Sequence, residues 1–339
     1  MSLNENKYEI IKRLGGGSFG EVFLVHHKHL DRGEAAKIIK TNKFTKALQE
    51  AKTIQQLQHE NIIHIYDADI LPDKSGIFIT MEYHPQGSIA NLKFISRRQI
   101  IDLAIYVLRA LEYAHGTGFI HGDIKPTNIL LNEHQNAILT DFGLSAKINE
   151  LATAPRYQYK YHMAPEVITG KGKENIKTDL YALGVTMHRL VNREPDWLRT
   201  LQPNELDERI AKGKYPERTN YRPDIPTTLM NIINKALNIN PLKRYQSAKE
   251  MLKEIEKKAI FRYDWGKDGN GWLAAINNIN IKIEIQRRGD LFDIITSKKK
   301  IEFEQFRRIK KYCFDKINET EVENFIRRII SGIDSSFEA

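Results

Sequence analysis

A glycine-rich motif near the start of the chain constrains the fold more than any other feature. Gly15, Gly17 and Gly20 form the pattern G-x-G-x-x-G between two strand-like runs, Tyr8 to Leu14 and Phe23 to Val25. A dinucleotide-binding fold requires a helix after such glycines, whereas a second strand follows here. Because glycine lets the backbone approach a phosphate closely, the motif predicts a β-hairpin lid over phosphates. A flexible hairpin without a ligand gives the same pattern, so the motif needs support from other residues.

Lys37 supplies the first such support. It lies in the strand-like run Ala35 to Ile39, where a charged side chain requires a partner. The helical stretch Lys46 to Gln58 that follows offers Glu50. A Lys37–Glu50 ion pair would hold the ammonium group at the α- and β-phosphates of a nucleotide. The alternative is that Glu50 lies on a solvated helix face.

Composition adds few restrictions. Of the 339 residues, 41% are hydrophobic and 28% are charged, which is typical of a globular protein. Cys313 is the only cysteine, so a disulfide framework is excluded and a reducing, cytoplasmic location is expected. We expect no membrane association, because the N-terminus lacks a signal-peptide pattern and charged residues interrupt the apolar run Ile101 to Leu111. The net charge of +9 permits attraction to phosphates or nucleic acid without naming a partner.

Two runs between residues 121 and 143 carry the densest chemistry. They read His121-Gly122-Asp123-Ile124-Lys125-Pro126-Thr127-Asn128 and Thr140-Asp141-Phe142-Gly143. With the glycine motif and Lys37, they resemble the eukaryotic-type (Hanks-type) Ser/Thr protein kinase family, in a His-Gly-Asp variant of its catalytic loop. The resemblance implies an α+β, bilobal protein-kinase-like fold over residues 8–260. Its β-rich small lobe would span about 8–83 and its helical large lobe about 87–260, followed by a small α+β extension over 261–339.

The resemblance also assigns roles to these residues. Asp123 matches the carboxylate that orients the substrate hydroxyl and accepts its proton, and Lys125 matches the cation that steadies the transferring phosphoryl group. Asn128 and Asp141 match the ligands of Mg²⁺, which prefers oxygen donors. His121 and Phe142 match packing residues. ATP and Mg²⁺ are therefore the expected cofactors.

An adenine site is implied by residues from both predicted lobes. Met81 stands at the gatekeeper position, and backbone groups near Glu82 and Tyr83 would hydrogen-bond the base. The residues that would sandwich the base in a mostly apolar slot are Val22, Ala35 and Leu130. Packing in the core is the alternative interpretation of these three residues.

Further matches lie downstream. Ala164-Pro165-Glu166 resembles the end of an activation segment, and Arg244 should form a buried bridge with Glu166. The run that begins at Asp179 resembles the start of the long central helix of the large lobe.

Two positions depart from the family pattern. Gly122 replaces an arginine that grips a phosphorylated activation loop, so we expect activation to be independent of that contact and activity to survive phosphatase treatment. The segment before Ala164 lacks the usual Gly-Thr and has His162 where a tyrosine is usual, which leaves Ser/Thr selectivity open. The activation-segment hydroxyls that remain available for modification are Thr153, Tyr157, Tyr159 and Tyr161.

The expected function is ATP-dependent phosphorylation of Ser/Thr hydroxyls in proteins, with autophosphorylation. One alternative is a small-molecule kinase of the aminoglycoside or choline phosphotransferase type, which also has His-Gly-Asp. Lys125, the glycine loop and the Glu166–Arg244 pair argue against it. The other alternative is a nucleotide-binding pseudokinase scaffold, which the presence of all the catalytic residue types disfavours. The sequence predicts no oligomeric state.

The extension after residue 260 is patterned but unassigned. We predict a turn or loop over Trp265 to Trp272, and a hairpin with strands Asn280 to Gln286 and Leu291 to Thr296. Helices are predicted over Ile301 to Ile317 and Glu321 to Ile330. The first of these would carry an apolar stripe of Phe303, Phe306, Ile309, Tyr312 and Cys313.

Basic residues are frequent in this extension, but acidic residues are nearly as numerous. A solvated face is therefore favoured, and a nucleic acid is not an expected partner. The extension would pack on a lobe, dock a substrate or restrain the active site. Cys313 is interpreted as a core residue rather than a reactive thiol.

Overall fold

The computed structural model describes residues 5–17, 20–92, 95–142, 146–147, 160–192, 202–219, 221–259, 263–276 and 278–335. Three units follow one another along this part of the chain: a small β-rich lobe, a helical large lobe and a C-terminal module, which we define as residues 263–335. The predicted α+β bilobal fold with a small α+β extension is confirmed. Among the described residues, no helix is long and apolar enough to cross a membrane.

The small lobe is a five-stranded antiparallel sheet with one helix. Its strands are arranged in the order β1-β2-β3-β5-β4. Ala36 and Ile38 on one face of β3 join a small core with Tyr8 and Phe78, whereas Lys37 points to the other face. The elements are β1 (Tyr8–Gly17), β2 (Gly20–His27), β3 (Arg32–Lys40), α1 (Phe44–Gln55), β4 (Ile65–Ile70) and β5 (Gly76–Glu82).

The large lobe contains the main hydrophobic core, built around two long helices. Ser96 caps the first of them and accepts a hydrogen bond from the Gln99 N–H, while Asn175 caps the second in the same way. The helices are α2 (Arg97–Gly116), α3 (Pro165–Ile168), α4 (Ile176–Val191), α5 (Pro203–Ala211), α6 (Thr227–Ala236) and α7 (Ala248–Lys258). The short strands are β6 (Phe119–Ile120), β7 (Ile129–Leu131), β8 (Ala137–Leu139) and β9 (Ala146–Lys147).

The C-terminal module is a six-stranded antiparallel sheet covered by one helix. Trp265, Ile283 and Ile294 from the sheet and Ile326 and Ile330 from the helix form its separate hydrophobic core. The elements are β10 (Asp264–Asp268), β11 (Gly271–Ile276), β12 (Ile279–Arg288), β13 (Leu291–Lys300), β14 (Arg307–Arg308), β15 (Phe314–Asn318) and α8 (Val322–Ser335). The predicted hairpin and the last predicted helix are confirmed by β12, β13 and α8.

The helix predicted over Ile301 to Ile317 is wrong. This segment forms an exposed turn and then β14 and β15, both of which pair with β13. Phe303 and Phe306 are 56% and 38% exposed, so the predicted stripe is not buried as one face, and only Ile309 and Tyr312 of the stripe pack against the core of the module. The unpaired edge of β13 offers backbone hydrogen bonds that an isolated helical pattern does not reveal.

Two smaller expectations for the module are also revised. The tryptophan-rich run is a hairpin of β10 and β11, joined at the pair Asp268–Gly271, rather than a loop. The Cys313 side chain is only half-buried and lies near the Thr296 and Ile309 carbonyl oxygens, 3.5 and 3.4 Å away.

A buried arginine attaches the module to the large lobe. Arg97, at the start of α2, is completely buried. Its guanidinium donates to the Tyr263 carbonyl at 3.1 Å, to the Asp224 carbonyl at 3.1 Å and to the Asp334 carboxylate at 2.9 Å. Burial raises the pKa of Asp334, and the charge of Arg97 opposes that shift. From α8, Arg327 adds a hydrogen bond of 2.8 Å to the Tyr221 carbonyl.

Candidate active site

A buried carboxylate organises the catalytic loop. Asp179 in the first turn of α4 accepts hydrogen bonds from the backbone N–H groups of His121 at 2.9 Å and Gly122 at 2.8 Å, and it lies 2.9 Å from His115 Nε2. Burial alone would raise the pKa of Asp179, but His115, His121 and the Gly122 N–H outweigh that effect and hold it below its ordinary value. Gly122 has a φ of 80°, a conformation that favours glycine.

Asp123 directly follows His121 and Gly122 in the chain and is almost fully buried. Its Oδ2 accepts from Lys125 Nζ at 2.6 Å and from Asn128 Nδ2 at 2.9 Å. Pro126 begins a short 3-10 helix that brings Asn128 back toward Asp123, whose carbonyl also accepts from Asn128 Nδ2 at 2.9 Å. Three residues of the predicted constellation therefore share one hydrogen-bonded group, with the carboxylate held in one orientation.

His121 connects this loop to the run that begins at Asp141. Its Nδ1 accepts from the Asp123 N–H at 3.1 Å, and its Nε2 donates to the Thr140 carbonyl at 3.0 Å. The ring lies 4.5 Å from the ring of Phe142. Both residues thus have packing positions, as the sequence implied. Asp141 has a φ of 67°, an uncommon backbone conformation for a non-glycine residue.

Lys37 reaches the same place from the small lobe. Its Nζ forms an ion pair with Asp141 Oδ1 and is largely buried. The Glu50 side chain lies outside the described residues, so the predicted Lys37–Glu50 pair stays a prediction. Lys37 is paired across strands with Val22, which places the glycine hairpin directly beside it.

The glycine hairpin approaches β3 very closely at one point. Gly15, Gly16 and Gly17 pair with Val22, Glu21 and Gly20. A Cβ atom on Gly20 would lie 2.1 Å from the Ile38 carbonyl oxygen, and φ at this residue is +125°. Only glycine is compatible with this position. The tip of the hairpin, residues 18 and 19, lies outside the described residues.

The residues predicted to surround adenine lie on neighbouring strands. Ala35 pairs with Met81 across β3 and β5, and Leu130 in β7 is bridged to Ser88 just after the hinge. The Glu82 N–H donates to the His64 carbonyl at 3.0 Å, so a base would use other backbone groups of the segment that includes Tyr83.

The predicted bridge between Glu166 and Arg244 is present. It is bidentate, with Nη1–Oε1 and Nη2–Oε2 distances of 2.8 and 2.7 Å, and Arg244 is 2% exposed. His162, four residues before Glu166, is buried. Its burial, followed by the charges of Arg189 and Lys125, places the His162 pKa well below its usual range. Thr153, Tyr157 and Tyr159 lie outside the described residues, whereas Tyr161 packs against the Tyr215 ring at 5.9 Å.

The oxygen donors at this site fit Mg²⁺. Asp141 supplies a carboxylate, and Asn128 turns its amide nitrogen toward Asp123, which leaves its oxygen on the opposite side. In the part of the chain that the structure describes, no cluster of three or more His, Cys, Asp or Glu residues could hold a metal. A magnesium ion would accordingly need phosphate and water oxygens as further ligands, as Mg²⁺ at nucleotide sites ordinarily does.

Asp179 and His115 are the residues of the candidate site whose contacts the sequence did not reveal. Asp179 was predicted only as the start of a helix, and His115 not at all. The sequence contained one indication for Asp179. An aspartate in the first turn of a helix as apolar as α4 is expected to be buried and therefore requires hydrogen-bond donors. Which donors it would find depends on the tertiary fold.

Comparisons with known proteins agree with this geometry. The family model of the protein kinase domain matches residues 8–255. A probable serine/threonine-protein kinase of Clostridium perfringens is 28% identical over 268 residues, which is 74% of this chain and 38% of that protein. Serine/threonine-protein kinase PrkC of Bacillus subtilis is 28% identical over 270 residues, 74% of this chain and 40% of PrkC. Serine/threonine-protein kinase PknD of Protochlamydia amoebophila is 26% identical over 327 residues, 83% of this chain and 32% of PknD.

The fold is bilobal and similar to that of protein kinases. The chain belongs to the protein kinase domain family. It spans less than half of the length of these curated relatives.

Proposed function

We propose that the chain is an ATP-dependent protein kinase that transfers the γ-phosphoryl group to Ser/Thr hydroxyls of proteins and also phosphorylates itself. The observation that supports this most is the orientation of Asp123 by Lys125 and Asn128, beside the Lys37–Asp141 pair. Phosphoryl transfer requires positioning and charge neutralisation more than covalent chemistry. The names of the relatives, which are serine/threonine-protein kinases, point the same way.

Within this proposal each residue has one task. Asp123 orients the acceptor hydroxyl and takes its proton, and Lys125 steadies the phosphoryl group. Asn128 and Asp141 hold Mg²⁺, which when bound neutralises charge on the phosphates. The proposed ATP-binding residues are Gly15, Gly17, Gly20, Val22, Ala35, Lys37, Glu50, Met81, Glu82, Tyr83 and Leu130.

The division of the chain is likewise a proposal. A kinase domain over residues 8–260 is supported by the family match to residue 255 and by the end of α7 at Lys258. Residues 261–339 are then an extension with its own core. A reducing, cytoplasmic location is proposed on cysteine usage alone.

Transfer of labelled phosphate tests the function. We expect Asp123→Asn to lower transfer to a protein substrate by about 10²–10⁴-fold, because the proton acceptor is lost. Binding of a fluorescent ATP analogue should persist. Asp290→Asn, in an exposed turn of the module, is the matched control and should transfer normally.

Three outcomes would contradict the proposal. Full transfer by Asp123→Asn would remove the assigned base. Faster transfer to aminoglycosides or choline than to proteins would support a small-molecule kinase, and ATP binding without any transfer by the wild type would support a pseudokinase scaffold.

A further inference from the structure

An open concavity on the large lobe carries cations that the proposed chemistry does not use. It lies where α5 ends and the chain loops toward α6, and its described lining is Arg209, Gly213, Lys214, Glu217, Arg218 and Thr219. Three of these residues are basic and one is acidic. The concavity is therefore suited to an anion.

Arg218 is the unusual member of this group. Its Nε and Nη2 atoms are buried and have no hydrogen-bond partner among the described residues. Guanidinium remains charged at all ordinary pH values, so burying its N–H groups without an acceptor is unfavourable. Nη2 lies 3.1 Å from where a Cβ of Gly213 would stand, so the guanidinium lies close to the loop.

The neighbouring lysines show that ion pairing is the rule on this surface. Lys212 pairs with Glu208, and Lys160 pairs with Asp207 at 2.8 Å. Lys214 lies two residues from Lys212, on the rim of the concavity, and forms no such pair within the described residues. Within the described residues, Lys214 and Arg218 are thus the two lining cations that form no ion pair.

The loop is connected to the catalytic carboxylate through the segment before Glu166. Tyr215 packs on Tyr161, and the next residues, His162 and Met163, line a small cavity together with Asp123. Lys160 of the same segment is bound to Asp207 of α5. A polypeptide whose hydroxyl lay at Asp123 could therefore extend along this segment to the concavity.

We propose that Lys214 and Arg218, with Arg209 at the rim, form an oxyanion site that binds an acidic side chain of the protein substrate, remote from the hydroxyl that is phosphorylated. A carboxylate of Asp or Glu and a phosphate on a previously phosphorylated residue share the required chemistry. Both accept the paired N–H groups that a guanidinium presents. This inference rests on the proposed protein kinase function.

Binding is tested without catalysis. The full chain is saturated with a non-hydrolysable ATP analogue and Mg²⁺, and its melting temperature is followed as inorganic phosphate replaces chloride at constant ionic strength. We expect a rise in melting temperature for the wild type, because a ligand that binds only the folded state stabilises it. Arg218→Met and Lys214→Ala should lose the rise, and Lys212→Ala should keep it.

Substrate choice is tested with peptides that differ at single positions. A serine peptide with Glu, phosphoserine or Gln at each position around the acceptor separates the two anion sources. We expect kcat/KM to be about tenfold higher for an anionic residue than for Gln at one or more positions in the wild type. Arg218→Lys should reduce that ratio, and Arg218→Met should bring it close to one.

The two tests fail in distinguishable ways. A phosphate-induced rise that persists in Arg218→Met and Lys214→Ala, or none in the wild type, overturns the oxyanion site whether or not the chain is a kinase. Transfer to peptides with the same anion preference in all variants overturns the substrate role. Absence of any transfer contradicts the proposed function instead. If Arg218→Met does not fold, Lys214→Ala and Arg218→Lys give the same decision.

Discussion

Within the large lobe a buried charge holds a loop in place, whereas at the junction with the C-terminal module a second buried charge of the same lobe joins two regions. Asp179 in the large lobe accepts hydrogen bonds from the catalytic loop and fixes its backbone. Arg97 donates to groups of both the lobe and the module and holds the two together. Asp179 therefore orients the loop that carries the proposed base Asp123, whereas Arg97 joins two separate hydrophobic cores.

The position of Arg97 also separates the module from the catalytic loop. Arg97 begins α2, and the loop follows the other end of this 20-residue helix, about 30 Å away. Of the three roles considered for the extension, packing on a lobe agrees best with these contacts. Restraint of the active site through this attachment would have to act across the whole length of α2.

Removal of Asp179 should have the largest effect. Asp179→Ala leaves the His121 and Gly122 N–H groups without their acceptor, and loss of one partner in a buried charged group lowers the free energy of unfolding by about 3–5 kcal/mol. Phosphate transfer should fall by at least about 100-fold because Asp123 loses its position. Urea unfolding and labelled transfer measure the two effects. Normal transfer by a folded Asp179→Ala variant would contradict the role of Asp179 in orienting the loop.

Removal of Arg97 should affect stability alone. Arg97→Ala leaves two carbonyls without this donor and leaves the Asp334 carboxylate without its ion-pair partner, with only Trp265 Nε1 donating to it at 3.3 Å. We expect a loss of about 3–5 kcal/mol in the free energy of unfolding. Transfer by the folded fraction should remain within about threefold of wild type, since α2 separates the sites. Arg98→Ala, at the exposed neighbouring position, is the control. A large change in transfer at unchanged stability would instead indicate that the module regulates the active site.

The sequence predicted the contacts of the large lobe better than the secondary structure of the C-terminal module. In the large lobe, Asp123, Lys125 and Asn128 lie within six residues, so local geometry brings them together once the motif is recognised. The Glu166–Arg244 bridge was also predicted, because the family resemblance supplies a partner that is distant in sequence. The spacing of the residues alone does not pair Asp179 with His121 or Lys37 with Asp141.

The family resemblance does not extend to the module. There the hydrophobic pattern alone led to a wrong helix prediction over residues 301–317. Alternating residues from Asn280 to Gln286 predicted β12 correctly, because one face of this strand is buried. The run from Ile301 has apolar residues at spacings that suit a helix, but Phe303 and Phe306 are exposed. Pairing with the edge of β13 determined its structure, and sheet edges are not visible in local sequence.

The next largest effect concerns acidic pH, which should destabilise the lobes through a buried histidine that the C-terminal module does not contain. His188 in α4 is buried, and this burial lowers its pKa from 6.5 to about 4, against a hydrogen bond to the Glu217 carbonyl. The unfolded chain therefore binds a proton that the folded chain rejects between pH 6.5 and about 4. Stability should fall as the pH falls through that window, by up to about 3 kcal/mol. Residues 263–335 contain no histidine, so this loss belongs to the lobes.

Urea unfolding between pH 4 and 7 measures this loss. His188→Gln should make the pH dependence shallower, and the remainder is expected from His162, whose pKa burial also lowers. His134→Gln, at a largely exposed position, should leave the pH dependence unchanged. An equally steep curve in His188→Gln would assign the acid sensitivity to other groups.

The smallest expected effect concerns two glycines with similar backbones. Gly122 in the catalytic loop and Gly289 in the β12–β13 turn have φ values of 80° and 65°. An alanine in this conformation costs about 1–2 kcal/mol, so Gly122→Ala and Gly289→Ala should lower the free energy of unfolding by comparable amounts. Only Gly122→Ala should also reduce transfer, because the Gly122 N–H is bound to Asp179 next to Asp123. Equal rates of phosphate transfer in the two variants would contradict this prediction. They would show that the loop at Gly122 tolerates the backbone change despite its hydrogen bond to Asp179.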